Sequence, residues 1–163
     1  PCPRRNTLRP YASFHHDRNE NMSETQQDAA EELAENFELF EDKAGRYEYL
    51  IDLGRKLPAM SPEEKTEYNL VQGCQSQVWV AGRVRDDAPQ VIDFAADSDA
   101  AITKGVVYVL WKVYSGHTKE EILSFDIDGF LERLQLNQLL SLNRRNGLSG
   151  MVQRIKTLAA AQQ

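Results

Sequence analysis

The spacing of apolar residues changes twice along this chain, and that change narrows the folds open to it. Ala30, Leu33, Ala34, Phe37 and Phe40 recur at helical intervals, as do Tyr47, Leu50, Ile51 and Gly54. Between Val78 and Val84 the interval falls to two, with Val78, Val80, Gly82 and Val84 alternating with Trp79, Ala81 and Arg83. From Ala100 the helical pattern returns. Helices, then short strands, then helices predict an α+β fold: a small antiparallel sheet of about three strands packed against helices.

Local signals place the elements. Ser23 with Gln26 has the form of a capping box and predicts the start of the first helix. A second helix is expected from Lys43 to Leu57, where Pro58 stops it. Ser61-Pro62-Glu63-Glu64 reads as another helix start. Asn69–Val71 is expected as a strand before Gly73, Asp86-Asp87-Ala88-Pro89 as a turn, and Val91–Ala95 as a strand after it. Ala100–Tyr114 is apolar nearly all round, which predicts a buried central helix ending at Gly116. Thr118 with Glu121 is a further capping box, and Phe130, Leu131, Leu134 and Leu136 mark another short piece. The last helix is expected from near Asn143, with Leu148, Met151, Val152, Ile155 and Leu158 on one stripe. Trp79 and Trp111 are expected in the core.

Residues 1–21 look unlike the rest. They carry four Arg against two acids, with neither apolar periodicity nor the hydrophobic region of a secretory signal. Met22 precedes a helix start, so 1–21 is expected to be a disordered leader or an added extension and 22–163 a single domain. An Arg-rich transit segment is the alternative.

A formal charge of −6 argues against nucleic acid or an anionic membrane as the main partner, because both require clustered cations. The longest apolar run, Val106–Trp111, is far shorter than the ~20 residues of a membrane span. The two cysteines, Cys2 and Cys74, lack the companion ligands of a zinc site and are expected to be reduced thiols in the cytoplasm.

Cys74 sits in Val71-Gln72-Gly73-Cys74-Gln75-Ser76, between two strand-like segments. Gly73 permits a tight turn, and Gln75 and Ser76 can donate to a thiolate, the form that attacks sulfur. A small buried filler is the competing reading of a free cysteine. No second Cys stands close enough for a dithiol oxidoreductase. A cysteine hydrolase needs a base, and His117, the sole His beyond residue 16, reads as a solvated turn residue. Transfer of a group carried on sulfur remains. In Asn143-Arg144-Arg145-Asn146-Gly147, two cations oppose the helix dipole and a glycine interrupts the helix, which marks a second candidate site, with solvated arginine side chains as the competing reading. Asp97-Ser98-Asp99 reads as an N-cap with first-turn acids, and partner contact is the other role open to it.

These segments together resemble the SufE family. The resemblance runs from about Ala30 to Ala159. It is carried by Arg46–Gly54 leading into Leu57-Pro58, by Val71–Trp79, by Asp97–Ile102 with Lys104-Gly105, and by Asn143–Leu148. It implies an α+β fold like the scaffold IscU without its metal ligands. It implies that Cys74 accepts persulfide sulfur from a SufS-like, pyridoxal-phosphate cysteine desulfurase, stimulates that enzyme, and passes sulfur to the SufBCD complex. Such a protein is a co-substrate without its own cofactor, rather than a stand-alone enzyme. Gly73, Gln75 and Ser76 would form the thiol's surroundings. Asp99 matches the family's second acid and Arg144 its arginine, both near the Cys loop or the desulfurase contact. Leu142-Asn143 stands where the family often has Pro-Ser, so the last helix is expected to start differently. A CsdE-like carrier for another desulfurase and a purely allosteric activator are the alternatives, and homodimerisation is left open. The loop is expected to pack partly inward at rest and to swing out on a partner.

Overall fold

The structure, a computed structural model, describes residues 24–162. The expected leader at 1–21, Met22, Cys2 and the Ser23 cap all lie outside them. Within them the first helix is capped by Thr25 instead, whose side chain accepts from the Asp28 N–H while Asp28 accepts from the Thr25 N–H. Helix α1 (Gln26–Glu38) buries Ala29, Ala30, Leu33, Ala34 and Phe37. Helix α2 (Lys43–Gly54) ends three residues before the predicted Leu57. Its tail is tightened by backbone bonds that reach back three residues, such as Leu57 N–H to the Gly54 carbonyl. Ser61-Pro62-Glu63-Glu64 gives only one 3₁₀ turn, Pro62–Glu64. The Asn69 side chain takes the Glu64 carbonyl that a longer helix would use.

Strands β1 (Val78–Arg85), β2 (Ala88–Ser98) and β3 (His117–Thr118) form one antiparallel sheet in that order. β1 and β2 form a hairpin whose register runs from Val78 opposite Ser98 to Val84 opposite Ile92, then shifts at Arg85. β2 is longer than predicted: Ala88 and Pro89 belong to it, and only Asp86 and Asp87 turn. Val78, Val80, Ile92, Phe94 and Ala96 fill the inner face. The expected strand at Asn69–Val71 is a single bridge, Leu70 to Trp79, because the chain leaves the sheet at Gln72. The third strand is β3, and His117 in it is buried opposite Ile92, not solvated. Gly116, at φ +85°, makes the turn that brings His117 back to the sheet.

Helix α3 (Ala101–Tyr114) is central, as its all-round apolar sequence predicts, and buries nine residues. It packs against α2 backbone to backbone. A methyl group at Gly105 would lie 2.0 Å from the Leu50 carbonyl oxygen, and one at Gly54 would lie 2.8 Å from the Gly105 nitrogen. Short helices α4 (Lys119–Ser124), α5 (Ile127–Arg133) and α6 (Leu136–Leu139) follow, α4 with its Thr118–Glu121 capping box intact. Helix α7 (Leu142–Ala160) lies against α3, α4 and β1 and buries Gly147, Leu148, Met151, Ile155 and Ala159. The architecture is α+β, and one continuous apolar cluster joins helices and sheet. Trp79 and Trp111 are half-buried, Trp111 anchored by its indole N–H to the Phe94 carbonyl. Among the described residues, no helix is long and apolar enough to cross a membrane.

Candidate functional site

The chain closes a loop where Leu70 meets Trp79, and Cys74 lies inside it. Val71 N–H donates to the Val78 carbonyl and Val80 N–H to the Asn69 carbonyl, which fixes both ends. Between them Gly73 takes φ +84°, with open space where a side chain would be. That left-handed turn sends Cys74 back toward the protein.

Two groups of contacts hold the loop. On the β2 side, the Asp99 carboxylate accepts from the Gln77 N–H at 3.0 Å, while Asp99 N–H and Ser98 Oγ both donate to the Gln77 carbonyl. The N-cap reading of Asp97-Ser98-Asp99 is therefore corrected. Helix α3 starts from Ala100 without a side-chain cap, and Asp99 is exposed and spent on the Cys loop. Asp97 pairs with Lys65 at 2.7 Å and Lys104 at 3.3 Å. Burial works against its charge, but these two lysines and the Ser98 N–H hold its carboxyl below the usual range. On the helical side, Ser76 Oγ donates to Thr103 Oγ1 of α3 at 3.0 Å.

The Cys74 thiol itself points at α7. Its Sγ donates to the Gly147 carbonyl at 3.6 Å. Gln75, Ser76, Thr103, Val106, Asn143, Arg144, Gly147 and Met151 surround a cavity of about 10 Å³ beside it, room for one water at most. Cys74 is half-buried, and burial pushes its pKa up. The expectation that Gln75 and Ser76 donate to a thiolate is not met in this resting arrangement. Gln75 is exposed, Ser76 is turned to Thr103, and the single partner of Sγ is a carbonyl that accepts its proton. The resting form is a thiol. Among the described residues it is the one cysteine, and no group of acidic, His or Cys side chains there could hold a metal.

Residues 31–159 match a family model described as the Fe-S metabolism associated domain SufE. The chain belongs to the SufE family. Membership supports, in general terms, a sulfur-acceptor role in Fe–S metabolism with a cysteine desulfurase as partner. The chain is also similar to the solution structure of a hypothetical protein from Thermus thermophilus, with a TM-score of 0.66 at 20% identity. That likeness covers 81% of this chain and 93% of the other, and it bears on the fold, which is α+β in agreement.

The four segments that carried the SufE resemblance lie apart in sequence, and the structure brings three of them to one place. Gln75, Ser76, Arg144 and Gly147 line the cavity at the thiol, and Asp99 holds the Gln77 end of the same loop. The fourth, Arg46–Gly54, belongs to α2 and its Gly54 packs on α3, so it builds the scaffold. Arg144 is the third residue of α7, half-buried, and lines the Cys74 cavity. Helix α7 starts at Leu142 from the Ser141 cap, whose Oγ accepts from the Arg144 N–H. Thr103, Gly150 and Met151 went unread as site residues. Thr103 is a buried polar residue on a mostly apolar helix, and its residue type among apolar neighbours is a signal present in the sequence. Gly150 stands three residues after Gly147, hence on the same side of α7.

Proposed function

We propose that this SufE-family chain takes sulfur as a persulfide on Cys74 from a cysteine desulfurase, stimulates that enzyme, and delivers the sulfur to a SufBCD-type scaffold in the cytoplasm. The observation that carries this reading is the setting of Cys74. It occupies a glycine-turned loop whose neighbours Gly73 and Gln75 are exposed, so the thiol stands one loop movement from another protein.

The chemistry is thiol exchange and balances without an outside oxidant or reductant. The Cys74 thiolate attacks the outer sulfur of the desulfurase persulfide. The donor S–S bond breaks, the desulfurase cysteine leaves as thiolate, and Cys74–S–SH remains. Delivery repeats the step, with an acceptor thiolate attacking the outer sulfur and Cys74 leaving. Pyridoxal phosphate belongs to the desulfurase, and this chain contributes a thiol and the means of presenting it. Because the seated thiol keeps its proton, transfer requires the loop to leave α7 and enter a more polar setting on the partner.

Asp99 and Arg144 fit two roles in that movement. Asp99 fixes the Gln77 end of the loop, and its release would let the loop extend. Arg144 makes no ion pair or side-chain hydrogen bond among the described residues, so its guanidinium is available to a partner carboxylate or to the thiolate once formed.

The test uses the protein with a cysteine desulfurase and cysteine. Intact mass should show a gain of one sulfur atom on the wild-type chain and none on Cys74→Ser. Undiminished stimulation of the desulfurase by Cys74→Ser would overturn the carrier reading in favour of allosteric activation.

A further inference from the structure

The segment entering the Cys loop runs along α7 in the opposite direction, and three positions of the helix receive it. Arg154 donates to the Tyr68 carbonyl at 3.0 Å and lies over the Tyr68 ring. One turn earlier, Gly150 faces Gln72: a methyl group there would lie 3.1 Å from the Gln72 carbonyl oxygen. Another turn earlier, Gly147 faces Cys74, where a methyl group would lie 3.3 Å from Sγ and 3.6 Å from the Cys74 Cα. Outside its own helix, the first carbon of a side chain at Gly147 therefore has Cys74 as its nearest neighbour, the thiol foremost.

From this contact we propose that Gly147 is a positioning residue for Cys74: its missing side chain is what lets the loop seat on α7 and withholds the thiol from reagents until a partner lifts it. The inference rests on the reading of Cys74 as the sulfur acceptor and adds to it the element that controls exposure. Two further observations support it. Gly147 also supplies the carbonyl that accepts the thiol proton, so seating and bonding are lost together. The cavity beside Sγ has room for one water at most, so a side chain at 147 has no unused space to enter and must displace the loop. The loop has room to move outward, since a side chain at Gly73 would meet open space and Gln72, Gly73 and Gln75 are exposed.

A graded pair of variants tests this. Gly147→Ala asks Cys74 to give by a few tenths of an ångström, and Gly147→Val forces it out. Both residues are better helix formers than glycine, so α7 is not weakened by the change itself. Alkylation of Cys74 by iodoacetamide should quicken about threefold in the alanine variant and about tenfold in the valine variant, with the pH midpoint of the rate moving down in the same order. A substitution that merely loosened the fold would not lower that midpoint stepwise with side-chain size while far-ultraviolet circular dichroism stayed native. Rates and midpoints equal to wild type in both variants would overturn the proposal. Should the valine variant fail to fold, the alanine variant decides alone. Sulfur loading of the wild-type chain by a desulfurase is measured in parallel. Its absence would remove the acceptor reading and leave the alkylation series to judge Gly147 by itself.

Discussion

The Sγ of Cys74 lies 3.6 Å from the carbonyl oxygen of Gly147, a residue 73 positions away in the sequence. This contact makes the resting state a protonated, half-buried thiol, where sulfur exchange needs an accessible thiolate. A carrier built this way holds its reactive group back and depends on a partner to expose it.

The first consequence is a pH profile. Burial raises the Cys74 pKa, so alkylation of the free protein should rise with pH about a midpoint above the ~8.5 of an unperturbed thiol. The folded state holds this proton more tightly than the unfolded state does. The stability it contributes is therefore fully present below the unfolded pKa and is lost as pH rises through the folded one. Urea midpoints of the wild type should fall above about pH 8.5, and those of Cys74→Ser should fall less. A midpoint at or below that of a free thiol would contradict the seated geometry.

Asp99→Ala removes the carboxylate that accepts from the Gln77 N–H. The residue is exposed, so the stability cost should sit near the low end of the ~0.5–1.5 kcal/mol typical of one hydrogen bond. The loop should respond more than the fold. Amide exchange across 72–77 should accelerate and Cys74 alkylation should quicken, while exchange in α3 stays unchanged.

Gly105→Ala tests the scaffold. Its methyl group would stand 2.0 Å from the Leu50 carbonyl oxygen, backbone that has no rotamer to yield with. The substitution should cost about 3 kcal/mol, the upper part of the overpacking range. Thermal or urea denaturation measures it, and a change within ~0.5 kcal/mol would mean that α2 and α3 do not pack this closely.

His117 is buried in β3, and its pKa is lowered first by burial and then by Arg85, against the raising effect of Glu121 and Glu24. The folded state disfavours its protonation. Its contribution to stability is present above the unfolded pKa of ~6.5 and is lost as pH falls through the folded value. Between about pH 7 and pH 5, the melting temperature of His117→Asn should therefore decline less than that of the wild type. Parallel declines would remove His117 from the account.

Much of this arrangement was legible in the sequence, because it depends on neighbours along the chain. The shift of apolar spacing at Val78 marks β1 since a strand turns alternate residues to opposite faces, and the all-round apolar run to Tyr114 marks a helix enclosed by others. The box at Thr118 and Glu121 spans three residues and forms as read. The predicted strand at Leu70 shrank to one bridge because a strand needs a partner along its length, and Gln72 onward has none in the sheet. His117 looked solvated because it follows Gly116, yet that glycine turns it onto Ile92, a residue 25 positions earlier.

At the site the division follows the same line. The thiol, its glycine and the two odd arginines announced themselves by residue type and order, since such chemistry and such breaches of helix preference are written in single residues. That Asp99 serves Gln77 instead of capping α3, that Ser76 turns to Thr103, and that Gly147 lacks a side chain to make room for Cys74 became visible only when distant segments met. Burial and hydrogen-bond partners are properties of the packed interior. They alone settle whether Cys74 rests as a thiol, because a proton's affinity is set by the medium and the acceptor beside it and not by neighbours in sequence.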